Sequence, residues 1–394
     1  MDTIMDTIMK PTLTKSLIAT AVLAASWHAN AAVEIYNKDG TTFSADGLIN
    51  IFYVNSSIEA TDISGAVSDR DQSRIKMGFL PNNIGFNYGK QLDDLKIEVR
   101  SSFWVSINDT DLSRGATALG TNSLIDVRQF YAKLSGDWGS VTLGKDFGLF
   151  NRTNILGDEL LLGYGQTSDT FGLVDGGNVS FGNISTGYSY PMPKAQITYR
   201  TNDMNGFNVA VGVMDPSKSA ADSSEDTPRV EFEASYTTEL NNVGVKGWLN
   251  GLSQTSEVQG IEQDQSGLGY GLNVKFSGLS LTASGYSSEG VGYVAGLDNI
   301  VGAESNESDG SLLQVSYTTG DNRFVISSGE TENQDTANMA AGITTHKNVA
   351  LGYFRTVRPG IIMVAEFNNT ESENSITSLA EDNKTFSIGT VVTF

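Results

Sequence analysis

Residues 267–276 read GLGYGLNVKF, and every second residue from Leu268 to Phe276 is apolar. The residues between them are glycine, asparagine and lysine, so the extended stretch has one apolar face and one polar face. A run of about ten residues is also the length that a tilted membrane-spanning strand needs. The stretch therefore predicts a β-strand whose apolar face meets either lipid or the core of a soluble β-sandwich.

The same alternation recurs along most of the chain after residue 31. Clear examples are Ile97–Val105, Phe207–Val213, Val230–Tyr236 and Phe386–Phe394. Counting such runs gives roughly 16 strands, and an even number is expected for a single-chain bacterial barrel. The second run, Ser73–Lys90, contains Pro81, which lacks the N–H of a ladder residue and predicts a bend or bulge there.

The connections between these runs alternate in length. Short turns are predicted near Leu92–Asp94, Gly136–Trp138, Asp203–Gly206, Leu240–Asn242, Ser277–Gly278, Gly320–Asn322 and Arg358–Gly360. Long polar loops separate them, and short turns at one end with long loops at the other are typical of outer-membrane barrels. A sheet in lipid must also close on itself, because every backbone donor and acceptor needs a partner. Residues 32–394 are therefore predicted to form one all-β, transmembrane antiparallel barrel rather than a secreted soluble β-protein.

The composition argues against several other functions. The 394 residues include no cysteine, which excludes disulfides and thiolate chemistry, and only two histidines, His28 and His346. A net charge of −21 argues against nucleic-acid binding. The adjacent Asp158 and Glu159 are poorly arranged for glycoside hydrolysis, which needs two carboxylates flanking one bond. We therefore expect no enzymatic activity, no cofactor and no metal site.

Residues 1–31 have the features of a secretory signal peptide. Lys10 and Lys15 form its charged region, Ser16–Trp27 is a short apolar run, and Ala29-Asn30-Ala31 is a small-residue cleavage site. The apolar run is shorter than the ~20 residues that a membrane-spanning helix needs. The mature chain is therefore predicted to begin at Ala32.

Two sequence motifs and the last residue resemble the general diffusion porins of Gram-negative bacteria. Residues 33–40, VEIYNKDG, are similar to the mature start of that family, and residues 134–145, LSGDWGSVTLGK, to its fourth turn and fifth strand. Phe394, which ends an alternating run, resembles the signal that the barrel-assembly machinery reads in that family. The resemblance covers essentially all of residues 32–394. It implies a homotrimer with both termini in the periplasm and a third loop folded into the pore.

The third loop is predicted roughly from Phe147 to Tyr190. Irregular segments longer than about 15 residues are uncommon in compact proteins, so its length indicates a function. The resemblance puts Asp158 at the family's pore-constriction carboxylate, with Glu159 beside it. The family's Pro-Glu-Phe-Gly-Gly motif is missing, and Leu160-Leu161-Leu162-Gly163 stands nearby instead, so the constriction departs from the family pattern.

The resemblance also implies basic residues on the barrel wall opposite this loop. Arg74, Arg100 and Lys194 lie at polar positions of their runs; Arg74 matches a family wall arginine, and Lys194 only approximates a family position. Arg128 matches another, but Phe130 has the same parity, so the alternation leaves the face of Arg128 open. Opposed charges of this kind predict a transverse field across the pore. The alternative is that these residues are simply solvated wall.

The predicted function is passive diffusion of ions and small hydrophilic solutes across the outer membrane, with a mild preference for cations. Two alternatives stay open: a substrate-selective porin for small organic anions, and a surface structural or adhesive barrel with a plugged lumen. The expected partners are further copies of the chain, outer-membrane lipid and lipopolysaccharide, the barrel-assembly machinery, and the permeating solutes. The acidic loops either bind divalent cations that bridge to lipopolysaccharide or favour solubility.

Overall fold

The computed structural model describes residues 32–109, 125–169, 171–175, 180–218, 222–258, 260–291, 306–335 and 345–394. The predicted signal peptide, residues 1–31, lies outside the described residues. So do parts of three long loops, at residues 110–124, 292–305 and 336–344.

The described residues form 18 β-strands and one short helix. The strands are β1 Val33–Lys38, β2 Thr41–Thr61, β3 Val67–Lys76, β4 Asn82–Leu92, β5 Leu95–Val105, β6 Ile125–Gly136, β7 Gly139–Phe147, β8 Pro193–Arg200, β9 Phe207–Met214, β10 Arg229–Leu240, β11 Val243–Val258, β12 Ile261–Phe276, β13 Leu279–Glu289, β14 Asn306–Thr319, β15 Asn322–Asp335, β16 Thr345–Arg358, β17 Ile361–Glu373 and β18 Ala380–Thr393. The helix, α1, spans Arg152–Leu156. No helix in the described part of the chain is long and apolar enough to cross a membrane.

The 18 strands fill 16 positions of a closed antiparallel barrel. From β4 to β18 each strand pairs with the next, and β18 pairs with β2, so the sheet has no open edge. β3 and β4 share one position, because β2 pairs first with β4 and then with β3. The break between them contains Pro81, where the sequence predicts an interruption. The predicted strand number and closure are confirmed.

The ends of the chain share another position. β1 and β18 both run antiparallel to β2, with Val33 opposite Ala45 and Thr393 opposite Leu48. At the junction, the Gly47 N–H donates to the Phe394 carbonyl at 2.8 Å, and the Phe394 N–H donates to the Gly47 carbonyl at 3.1 Å. β1 and β18, from the two ends of residues 33–394, therefore together form the last strand of the barrel.

The alternating apolar face points outward. Leu268 and Phe276 on β12 are 44% and 54% exposed, whereas Asn250 on β11 and Gln314 on β14 face inward and are fully buried. A soluble sandwich would show the reverse, because its apolar faces meet in the core. The barrel therefore has an apolar outer surface suited to lipid and a polar inner surface.

Several strands extend further toward the long-loop end than the alternation predicts. β11, for example, runs to Val258, although the alternation stops near Leu252. Residues 253–257 read SQTSE and are polar on both faces, yet they pair with β12 without interruption. Residues beyond the lipid have water on both sides, so their hydrogen-bonded ladder continues where the sequence pattern has ended.

The junction at Phe394 leads to a prediction about assembly. A Cβ atom at Gly47 would meet the Phe394 ring and the Asn83 carbonyl, so Gly47→Val should obstruct the last contact that closes the barrel. We expect a large loss of folded protein, measured as the heat-modifiable band on a gel, and a similar loss on deleting Phe394. Gly247→Val is the matched control, because a Cβ at Gly247 meets only one atom, at 3.9 Å. Equal folded yields of the two valine variants would contradict this role of the junction.

Candidate functional site

The third loop, residues 148–192, connects β7 to β8 and lies against the inner wall of the barrel. Leu160, Tyr164 and Tyr188 belong to this loop and are at most 1% exposed. They are buried because the loop follows the lumen-facing side chains of the wall. The loop therefore narrows the lumen from within.

An apolar cluster holds the middle of the loop. Leu160, Leu162 and Tyr164 pack against Phe52 on β2 and Phe354 on β16, together with smaller lumen-facing residues of β15, β17 and β18. Burying each leucine contributes about 1.5–3 kcal/mol. The leucines near the missing family motif therefore form an apolar anchor on a wall that is elsewhere polar.

Three carboxylates of the wall hold the backbone of the loop. Each is a lumen-facing glutamate that accepts two hydrogen bonds from loop residues. The pairs are Glu231 with the N–H groups of Leu149 and Phe150, Glu366 with those of Tyr164 and Gly165, and Glu381 with the Ser168 hydroxyl and the Asp169 N–H. An irregular segment at membrane depth leaves backbone donors without a partner, and these carboxylates supply acceptors.

A row of glycines makes room for α1. Gly267, Gly269 and Gly271 occupy successive lumen-facing positions of β12, and a Cβ at any of them would meet a side chain of the loop or of β11. The helix is fixed here by Asn154, whose amide oxygen accepts from Trp248 Nε1 at 2.8 Å and whose amide nitrogen donates to a carbonyl of β13. The glycines of β12 therefore leave the space that the third loop occupies.

Asp158 lies at this anchored part of the loop and is 5% exposed. Its carboxylate accepts hydrogen bonds from Gln314 at 2.7 Å, Tyr188 at 2.6 Å and Asn183 at 3.0 Å. All three donors belong to the loop or to β14. In this structure the main role of Asp158 is therefore to fix the loop to the wall.

Glu159 is paired with an arginine that the sequence argument missed. Arg323 on β15 donates to a Glu159 carboxylate oxygen at 3.0 Å and to its carbonyl at 2.7 Å, and the Arg323 guanidinium stacks over Phe354 at 4.1 Å. Ser280 donates to the other carboxylate oxygen at 2.8 Å. Arg323 follows a short turn, where the sequence offers no sign that a loop residue reaches it.

Arg74 does meet an acidic residue of the third loop, but that residue is Asp175 rather than Asp158. Arg74 donates a hydrogen bond to Asp175 at 2.8 Å. Arg70 lies four residues before Arg74 on β3 and forms salt bridges with both Asp175 and Asp169. Burial tends to raise the pKa of Asp175, but hydrogen bonds from Arg70 and Gln72 outweigh it and hold that pKa below its usual value. The opposed charges on β3 and the loop are in direct contact.

Arg100 and Lys194 lie on the lumen face, as their parity predicts. Arg100 donates to both carboxylate oxygens of Asp46, at 2.8 and 3.1 Å, and to Asn87 and Gln129, and is almost completely buried. Lys194 donates to Ser217 at 2.7 Å. Arg100 is therefore held by a neutralising partner, which reduces its effect on passing ions.

A β-bulge resolves the face of Arg128. Ser102 pairs with Gln129 and Trp104 with Asp126, so two residues of β6, Val127 and Arg128, lie opposite one residue of β5, Phe103. The extra residue reverses the parity of β6, which turns Arg128 into the lumen although Phe130 faces lipid. There Arg128 stacks over Trp104 at 5.0 Å and donates to the Tyr190 hydroxyl at 2.9 Å.

The loop covers only part of the wall. Among the described residues, Arg128 is the only side chain of β4–β8 that hydrogen bonds to residues 148–192, through the Tyr190 hydroxyl. Side chains of β3, β10, β11, β13, β14, β15, β16, β17 and β18 all do so. The open part of the lumen therefore lies between the loop and the β4–β8 side. No group of three or more His, Cys, Asp or Glu side chains suited to a metal ion occurs in the described ranges.

A closed barrel with an apolar outer belt, a polar lumen and an inward-folded loop is a channel-forming protein of the outer membrane. The sequence profile of the Gram-negative porin family matches residues 19–375, and the chain therefore belongs to this family. No match was found among proteins of curated function.

Solved outer-membrane channels share the fold. The outer membrane channel DcaP of Acinetobacter baumannii superposes with a TM-score of 0.63 at 15% identity, over 91% of this chain and 99% of that one. An anion-selective porin from Comamonas acidovorans superposes with a TM-score of 0.62 at 14% sequence identity, over 90% of this chain and all of that one. Salmonella typhi OmpF, in complex with daunomycin, superposes with a TM-score of 0.58 at 15% sequence identity, over 92% of this chain and all of that one. At these identities the likeness establishes the fold alone.

The apolar anchor is testable by a single substitution. Leu160→Asn buries an amide among apolar side chains, at a cost of about 1–3 kcal/mol, and should loosen the loop. We expect larger and noisier single-channel conductance in planar bilayers. Leu160→Met, which conserves volume, should behave like the unmodified protein. If the asparagine variant folds and its conductance equals that of the methionine variant, the cluster does not hold the loop.

Proposed function

We propose that the protein is a passive, water-filled channel for ions and small hydrophilic solutes. The observation that supports this proposal is the arrangement of the lumen: the third loop is fastened mainly to β3 and β10–β18 of a polar barrel, and only one described side chain of β4–β8 hydrogen bonds to it. A plugged structural or adhesive barrel would have the loop bound on every side. We further infer that the chain has no enzymatic activity.

A mild preference for cations follows from the charge distribution. Residues 1–31 contain two Asp and two Lys, so the chain without them keeps the net charge of −21. Acidic side chains such as Glu59, Glu332 and Glu371 lie in the strand ends toward the long loops. A mouth of this sign concentrates cations over about one Debye length, ~8 Å at physiological salt.

Export and assembly complete the proposal. We infer that residues 1–31 are a cleaved signal peptide, that the short-turn end faces the periplasm, and that Phe394 is read by the barrel-assembly machinery. We also infer that the chain forms a homotrimer in contact with outer-membrane lipid and lipopolysaccharide. A trimer form is known for OmpT of Vibrio cholerae, whose barrel is similar at 13% identity and a TM-score of 0.53.

A second candidate function is selective passage of small organic anions. It is favoured by the basic residues Arg100, Arg128 and Lys194 on the β4–β8 side of the lumen. Arg100 and Arg128 each have an acidic partner, so the acidic mouth should dominate the selectivity for simple ions.

The proposed preference for cations should depend on ionic strength. Raising KCl from about 0.1 M to about 1 M shortens the Debye length from ~10 Å to ~3 Å and screens the mouth. We expect the ratio of potassium to chloride permeability, measured from reversal potentials in fixed-ratio gradients, to fall toward that of free solution. A ratio that is independent of salt would place the selectivity inside the lumen instead of at the mouth.

The paired charges on β3 and the loop should act in opposite directions. Asp175→Asn leaves Arg70 and Arg74 without their shared carboxylate and should shift the reversal potential toward anions. Arg74→Ser should shift it toward cations. Asp158→Asn provides the contrast: because Asp158 anchors the loop, we expect its main effect to be on conductance and noise. Shifts of the same sign from Asp175→Asn and Arg74→Ser would rule out this pair as the selectivity element.

A further inference from the structure

Arg152, at the start of α1, differs from the other arginines of the described chain. It is the only described arginine whose guanidinium donates no hydrogen bond to another described residue. Among the described residues its only salt-bridge partner within 4 Å is Asp146 on β7, with 3.7 Å between Arg152 Nη2 and Asp146 Oδ2. That distance exceeds the usual hydrogen-bond range of about 2.7–3.2 Å. The guanidinium therefore keeps its donors available.

The two acidic groups around Arg152 are already engaged by other donors. Asp146 accepts from Gln129 at 2.9 Å through its other oxygen. Glu233 on β10, the second acid near Arg152, accepts from Arg200 at 2.8 Å and from the Thr153 hydroxyl. The local charge is thus balanced, while the guanidinium is not saturated.

Arg152 is partly exposed inside the barrel. It lies on the third loop and reaches toward β7, which belongs to the β4–β8 side, where the described hydrogen bonds between the loop and the wall are fewest. Its side chain is 26% exposed, whereas Asp146 is 8% exposed beneath it. A solute that passes between the loop and this wall therefore meets the guanidinium before it meets the acid.

We propose that Arg152 is a specificity-determining residue of the channel and that it binds the carboxylate of a permeating small monocarboxylate. A planar guanidinium with unused donors matches a carboxylate through two parallel hydrogen bonds. At this point the loop presents the cation and the wall presents the acids, Asp146 and Glu233. This is the reverse of the arrangement that the family resemblance implies for the loop. The inference rests on the proposed channel function.

Asp146 affects how strongly Arg152 binds a carboxylate. It attracts Arg152 weakly and competes with an incoming carboxylate for the same guanidinium. Removing its charge should therefore strengthen solute binding, while removing the Arg152 charge should weaken it. Opposite effects from two neighbouring substitutions distinguish a binding site from a general change of pore size.

The test is current block by butyrate in planar bilayers, with butyramide as an uncharged probe of the same size. Butyrate should reduce single-channel current in a saturable manner, and butyramide should not. In Arg152→Gln the half-blocking concentration should rise about tenfold, as expected for the loss of one charge-assisted interaction. In Asp146→Asn it should fall. Arg152→Lys keeps the charge without the planar fork and should give an intermediate value.

Lys275→Gln is the matched control, because it removes one positive charge from the lumen face of β12, beside the short turn at Ser277–Gly278. It should leave the block by butyrate unchanged. An equal block in the unmodified protein, Arg152→Gln and Arg152→Lys would overturn the proposal while the channel function stands. A folded, unmodified protein that conducts no ions would instead overturn the channel function itself.

Discussion

The structure depends on one constraint: within lipid, every backbone N–H and C=O group must find its partner inside the protein. A sheet meets this condition only when it closes. Closure here uses both ends of the described chain, because β1 and β18 share one position beside β2, and Phe394 and Gly47 exchange backbone hydrogen bonds. Closure also fixes the two faces of every strand. Apolar residues then meet lipid, and polar residues line a lumen that must be filled with water or protein.

The same constraint explains how a long irregular loop survives inside the barrel. The described residues of the third loop contain one short helix, so most of their backbone donors lack a helical or ladder partner. The wall supplies acceptors through glutamates such as Glu231 and Glu366, and the loop adds an apolar anchor around Leu160. Most of these contacts come from β2, β3 and β10–β18, and few come from β4–β8. The asymmetry of the pore is therefore a consequence of where the wall provides partners for the loop.

The barrel could be predicted from the sequence because period-two alternation reports directly which face of a strand meets lipid. The interior could not be predicted in the same detail. Alternation places Arg74 in the lumen but does not reveal that its partner is Asp175, since that contact joins residues 101 positions apart. It also fails at Arg128, where a β-bulge reverses the parity of one strand. A motif likewise locates Asp158 in the loop without telling whether its carboxylate faces the pore or the wall.

The sign of the charge that the third loop presents to the lumen depends on which of its side chains attach it to the wall. It does not follow from the number of charged residues in the loop. Two acidic groups of the loop are engaged in attaching it: Asp158 accepts hydrogen bonds from Gln314 and Tyr188, and Glu159 forms a salt bridge with Arg323. A carboxylate that accepts several short hydrogen bonds has little attraction left for a passing cation. Arg152 has only a distant ionic neighbour and keeps its donors. A loop that carries more acids than bases thus presents a cation to the lumen, because the geometry of attachment decides which charges remain available.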